Sequence, residues 1–231
     1  MNKIIPSVPC IRPMLFKNDE VEFQYSIRGT CFLIKFHERI YALTAKHNIK
    51  DFHPRQFRVP ARLGDQAMLN YSQPFTIEMH NEDFEDFVAF EIPLNTNQLN
   101  GFLQDDAAAT FDRAIDWRKV QKVSVCGFPT ELNEFYESER ISYQSVCLLA
   151  SCTGKSVIEG CYEIEIDQPI PLKSLDGLSG SPVFCRDPSC PILLGMILRG
   201  SPNTLGVTKL HFLDIRLVLR SIEYIETQNK E

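Results

Sequence analysis

A series of short segments decides what this chain can fold into: "VEFQYSIRG", "TCFLIKFHERIYALTAKH", "DFVAFEIPL", "VQKVSVCGFP", "ISYQSVCLLASC", "YEIEIDQPI", "GSPVFC" and "PILLGMILRG". Each is rich in β-branched and aromatic residues and is bounded by turn formers, which is the signature of strands. "YEIEIDQ" alternates apolar and polar residues, as a half-buried strand does. "TCFLIKF" and "RIYALTA" flank "HER" and read as a hairpin. Helical periodicity is scarce. The clearest case is residues 212–228, "FLDIRLVLRSIEYIETQ", with Leu213, Ile215, Leu217, Leu219, Ile222 and Ile225 roughly on one side. A weaker one lies at 105–116. Many strands and one closing helix predict an all-β chain, an antiparallel sandwich or a pair of barrels. The least strand-like stretch, 95–118, serves as the connection between two halves.

At 231 residues, with 44% hydrophobic and 23% charged residues, the chain is long enough for a core that needs no staples. A net charge of −6 without a basic stripe argues against nucleic acid as the main partner. No apolar run reaches the length of a membrane span. Pro6, Pro9 and Pro13 break the first residues, so no signal peptide is expected. The eight cysteines, Cys10, Cys31, Cys126, Cys147, Cys152, Cys161, Cys185 and Cys190, are expected to be reduced thiols in a cytoplasmic protein. "CRDPSC" could close a hairpin loop, or hold half a metal site with Cys152 and Cys161. Without a CxxC pair or a His-rich partner, no metal is expected, and no cofactor is required by any motif.

The chemistry centres on "DGLSGSPVF", residues 176–184. A serine among glycines is an ordinary turn unless a base activates it, and the base in turn needs a carboxylate. The histidines are His37, His47, His53, His80 and His211. His47 ends an apolar strand in "YALTAKHNI", where Thr44 and Ala45 are small enough for close packing. Asp86 opens "DFVAFEI", a carboxylate at the head of a buried run, costly there unless paired. Asp83 and Glu85 are its alternatives by register. His37 reads as a solvated turn residue and "DFHPR" as plain loop around His53. His80 and His211 lack a motif, and Trp117 reads as packing or linker. An α/β-hydrolase elbow is excluded, because position 181 is Ser rather than Gly and the order of residues is wrong.

On these residues the chain resembles the trypsin/chymotrypsin-like serine proteases. "TAKH" is similar to their Thr-Ala-x-His, "DFVAFEI" to their Asp-led strand, and "GLSGSP" to their Gly-x-Ser-Gly-Gly-Pro, in the same order. "GTCFLI", "VCGFP" (125–129) and "GMILRG" (195–200) resemble flanking strands, and the likeness runs over about residues 20–225. The resemblance implies two antiparallel β-barrels of the chymotrypsin type with a C-terminal helix packed on the second. Residues 1–105 would carry His47 and Asp86, and residues 106–231 would carry Ser179. It implies a serine endopeptidase: Ser179 attacks, His47 moves the proton, Asp86 orients His47, and the N–H groups of Gly177 and Ser179 form the oxyanion hole. Its specificity pocket would have Lys173 at the floor, with Leu198, Arg199, Gly200 and the segment near Gly206–Thr208 as walls. A Lys there suggests an acidic side chain before the scissile bond; the alternative is Lys173 in solvent and a pocket for a small or apolar residue.

Departures from the family pattern carry their own expectations. Asn48 stands where secreted members often have a disulfide cysteine. Leu178 stands where digestive members have the Asp that receives a new N-terminus, and no Ile-Val-Gly-Gly site is visible. Activation by insertion of a cleaved terminus is therefore not expected; the enzyme would be always competent, or gated by loop ordering or an activating protein partner. The chain resembles stand-alone intracellular bacterial trypsin-like domains, some of which serve stress or antiphage systems by cutting one dedicated partner. The expected partner is a protein or peptide substrate. The competing reading is a protease fold with an idle triad, used as a binding or scaffold module.

Overall fold

The computed structural model describes residues 9–17, 25–50, 53, 56–61, 63, 67–71, 86–93, 109, 111, 115–116, 119–133, 143–170, 172–186, 192–202 and 208–228. The chain is mostly β. Its first part is an antiparallel sheet of β1 (Ile11–Lys17), β2 (Tyr25–Phe36), β3 (Arg39–Ala45), β4 (Phe57–Arg58) and β5 (Phe87–Ile92), in the order β4-β1-β2-β3-β5. Its second part is a closed barrel of β6 (Lys122–Gly127), β7 (Val146–Lys155), β8 (Cys161–Ile166), β9 (Pro182–Cys185), β10 (Ile192–Pro202) and β11 (Thr208–Asp214), in the order β10-β11-β8-β7-β6-β9. One helix, α1 (Ile215–Gln228), follows β11 directly. Among the described residues only the second unit closes; the first is an open sheet with β4 and β5 at its edges. Between them Ala109 bridges to Ile34 of β2 and Phe111 to Leu193 of β10.

The hairpin β2–β3 turns at His37 and Glu38, with φ of +46° and +62°. Two successive left-handed residues match the twist of the flanking strands. β8 keeps the expected alternation, with Ile164 and Ile166 buried and Glu163 and Glu165 partly exposed. Two elements differ from the sequence expectation. β1 is a strand in spite of Pro13. Among the described residues its second edge is paired only at Leu15 and Phe16, and Pro13 lies outside that pairing. Residues 212–214 belong to β11, and the helix starts at Ile215, because the Asp214 carboxylate accepts the N–H of Arg216 (2.9 Å) and caps the first turn. The weaker helical stretch at 105–116, Trp117, His80, Asp83, Glu85 and Cys190 lie wholly or mostly outside the described residues.

Two cores result. Val123, Val125, Ala150, Ile164, Val183, Leu194 and Phe212 fill the barrel. A larger core joins the first sheet (Phe16, Phe32, Leu33, Phe57, Phe90) to Phe128, Met196 and Leu198 of the second unit and to Ile215, Val218, Leu219 and Ile222 of α1. The helix therefore packs on β10 and β11, as expected, and also shares a core with the first sheet. Its far end reaches the β2–β3 hairpin, where Glu226 accepts from the Tyr41 hydroxyl and sits 3.0 Å from His37 Nδ1.

The expectation of reduced thiols is corrected at one pair. Cys126 and Cys147 are directly opposed in the β6–β7 ladder, with Cα atoms 4.1 Å apart, and are joined as a disulfide. Strand register brings them together, which a separation of 21 residues in sequence does not reveal. Cys10, Cys31, Cys152 and Cys161 are free thiols. No described helix is long and apolar enough to cross a membrane.

Candidate active site

His47 sits in a 3-10 turn, Lys46–Asn48, at the end of β3, and Asp86 stands immediately before β5, the neighbouring strand. The ladder pairs Ala45 with Phe87, the N–H of Lys46 donates to Asp86 O at 3.2 Å, and the 3-10 turn then carries His47 over the Asp86 carboxylate. One Asp86 oxygen accepts the backbone N–H of His47 at 2.9 Å, and the other lies 2.6 Å from Nδ1 of the ring. With the carboxylate on Nδ1–H, the lone pair of the neutral ring is left on Nε2. The imidazole is 43% exposed and Asp86 21%, so the pair is open on the ring side and sheltered on the acid side. Behind it lies Cys161, whose thiol burial pushes up to about 12, with the negative charges of Asp86 and Asp214 adding to the effect. Its thiol is thus neutral at ordinary pH.

Ser179 lies in the tight turn that leads into β9, wedged between the two units. Gly180, at φ +83°, rests against the carbonyl of Thr30 and the hydroxyl of Thr44. Gly177, at φ +86°, rests against Phe128 and Thr130, where a Cβ would come within 2.5 Å of the Phe128 carbonyl. Only glycine takes both angles and both contacts.

The amides of this turn divide into two kinds. Leu178 N–H donates to Leu175 O, Gly180 N–H to Ile197 O and Ser181 N–H to Leu178 O. Among the described residues no acceptor takes the N–H of Gly177 or of Ser179. The carbonyls from Asp176 to Ser179 are held: Asp176 O by Thr130 N, Gly177 O by the Thr30 hydroxyl, Leu178 O by Ser181 N, and Ser179 O by Thr30 N and Asn48 Nδ2. Two free donors two residues apart, on a stretch whose carbonyls are fixed, can take up an oxyanion. The Ser179 hydroxyl itself donates to the carbonyl of Leu198, at 3.0 Å, and no hydrogen bond joins it to His47.

The proposed specificity residues are placed differently from one another. Leu198 is buried, while Arg199 and Gly200 are exposed on β10. Lys173 is exposed, and its N–H donates to Glu131 at 2.7 Å. Leu210 and Leu175 close on Gly200, each within 2.8 Å of where a Cβ would stand. Of the wall segment near 206–208, only Thr208 is described. The other described histidines are held elsewhere: His37 faces Glu226, the His53 N–H donates to Gln56, and His211 meets the Ser156 hydroxyl at 2.9 Å. Among the described residues no group of His, Cys, Asp and Glu could hold a metal ion.

Sequence reasoning missed Thr30, Asn48, Leu175 and Leu210. Thr30 is a polar residue inside an apolar strand, the only local sign of its role, and its partners lie 98 and 147 residues away. No protein-family model matches this chain, and no curated protein matches it either.

Proposed function

We propose that the chain is a serine endopeptidase of the trypsin/chymotrypsin type, with His47, Asp86 and Ser179 as its triad. The observation that carries the reading is the two-pronged grip of Asp86 on His47, 2.9 Å to the main chain and 2.6 Å to Nδ1, beside a serine turn with two unclaimed N–H donors. Ser179 Oγ adds to the scissile carbonyl and His47 Nε2 takes its proton. The resulting oxyanion accepts from the N–H groups of Gly177 and Ser179. Imidazolium, stabilised by Asp86, then protonates the departing amine and leaves an acyl-enzyme. Water, deprotonated by His47, releases the acid and restores Ser179. The hydroxyl must first turn from Leu198 O toward His47, a rotamer hop open to a partly exposed side chain. The open sheet and closed barrel are read as the two halves of that fold. Lys173 in solvent, with Leu175 and Leu210 packed on Gly200, favours a small or apolar residue before the scissile bond over an acidic one. A dedicated protein substrate belongs to the same proposal.

The position of the Ser179 hydroxyl on Leu198 O favours a second reading, an idle triad on a binding module. Covalent labelling by a fluorophosphonate, read by intact mass, separates the two. The protease reading expects a single adduct on the wild type, absent from Ser179→Ala and His47→Ala. Well-folded wild type that takes no adduct would sink it.

A further inference from the structure

The two N–H donors beside Ser179 belong to peptide units whose neighbours in the chain are gripped from the other sheet. A peptide N–H points opposite to the carbonyl of its own peptide unit. The Gly177 N–H is therefore set by Asp176 O, held by Thr130 N at 2.9 Å. The Ser179 N–H is set by Leu178 O, held by Ser181 N at 3.0 Å. The peptide units on either side are held from β2 and from the His47 turn. The Thr30 hydroxyl donates to Gly177 O at 2.7 Å and accepts from Phe128 N at 2.8 Å. Thr30 N–H and the Asn48 amide both donate to Ser179 O, at 3.2 and 3.0 Å. Asn48 is itself steadied by Thr44 Oγ1 at 3.1 Å, and Thr44 by Thr30 O at 2.7 Å. Thr30 and Thr44 are wholly buried and Asn48 is 8% exposed, so these bonds compete with little water.

Every member of this network is neutral. Leu178, the side chain before Ser179, is apolar and 1% exposed, so it offers a charged partner nothing to pair with. Asn48 follows His47 in sequence, so one short segment presents the base and grips the main chain of the nucleophile.

We propose that Thr30 and Asn48 are positioning residues that hold the Gly177 and Ser179 amides in their donating orientation from the sheet carrying His47, so that the site is assembled without an inserted chain terminus. This rests on the protease reading. The test uses the full chain carrying Thr30→Val, which keeps shape and loses the hydroxyl, Asn48→Ala, and Thr30→Ser as the conservative rescue. Folded Thr30→Val and Asn48→Ala should label with the fluorophosphonate about 10²-fold more slowly than wild type, the scale expected of a misplaced oxyanion donor. Turnover of a small activated ester should fall through kcat with KM little changed, and Thr30→Ser should stay close to wild type. Wild-type labelling rates in both folded variants would overturn the proposal. A readout independent of activity is amide hydrogen exchange over residues 175–181. Faster exchange in Thr30→Val and Asn48→Ala, but not in Ser179→Ala, supports the positioning role; unchanged exchange overturns it. Wild type that fails to label would count against the protease reading alone, and the exchange comparison would still decide the role of Thr30 and Asn48.

Discussion

Asp86 does two jobs with two oxygens, and an amide can do only one of them. Asp86→Asn can still accept the N–H of His47 through its oxygen, but its NH₂ would then face Nδ1 and force the proton onto Nε2. A ring protonated on Nε2 cannot take a proton from Ser179. The variant should keep its fold and its KM while kcat falls by about 10³–10⁴, read from ester or peptide hydrolysis; a loss of less than tenfold would mean that Asp86 is not the orienting acid. Gly180 sets a different limit. An alanine there must adopt φ +83° and place its Cβ on the Thr30 carbonyl, so Gly180→Ala should cost at least ~2 kcal/mol in urea unfolding. At this scale the contact of His47 with Asp86 was legible, because each of the two sits in a compact local motif. Thr30 and Asn48 were not, because their partners in the Ser179 turn lie 147 and 131 residues away and nothing beside them in sequence points there.

Among the elements, α1 makes a pH-dependent contact. Burial works against charge at Glu226, but hydrogen bonds from His37 and Tyr41, with the charges of His37 and Arg39, outweigh it and hold the carboxyl below its ordinary value. A carboxyl depressed in the folded state adds stability that is fully present above the unfolded pKa of ~4.3. That stability is lost as pH falls through the lower folded value. Glu226→Gln should therefore cost a little at neutral pH, below ~1 kcal/mol for so accessible a contact. The Tm gap to wild type should then close as pH falls from about 6 to about 3; a gap that stays constant or widens would rule out the carboxylate as its source. Most strands were legible because β-branched runs and turn residues are local signals. β1 was hidden by Pro13, whose tolerance depends on a neighbour strand only two residues long. The start of α1 was hidden because Leu213 and Phe212 fit the apolar helix face as well as they fit β11.

The composition of the larger core decides how the whole molecule unfolds. That core takes side chains from the first sheet, from the barrel wall and from α1, while only the smaller one is private to the barrel. The sequence gives the period of the helix but not which unit receives its apolar face, since that depends on where the chain returns after β11. Because Ile215, Val218, Leu219 and Ile222 are buried between units, α1 couples them. Ile222 is 0% exposed, and Ile222→Ala removes its outer carbons from that shared core at a cost of about 2–5 kcal/mol. If the units folded independently, such a cavity would lower one transition and leave the other in place. If they unfold together, far-UV circular dichroism and fluorophosphonate reactivity should be lost at a single midpoint, in wild type and variant alike, shifted down in the variant by the same amount for both probes. We expect the single midpoint, since the Ser179 turn takes bonds from Thr30 and Asn48 of the first unit while the chain around it belongs to the second. Reactivity lost well below the dichroism transition would instead make the turn a locally unfolding segment, held to the sheet more weakly than its bonds imply.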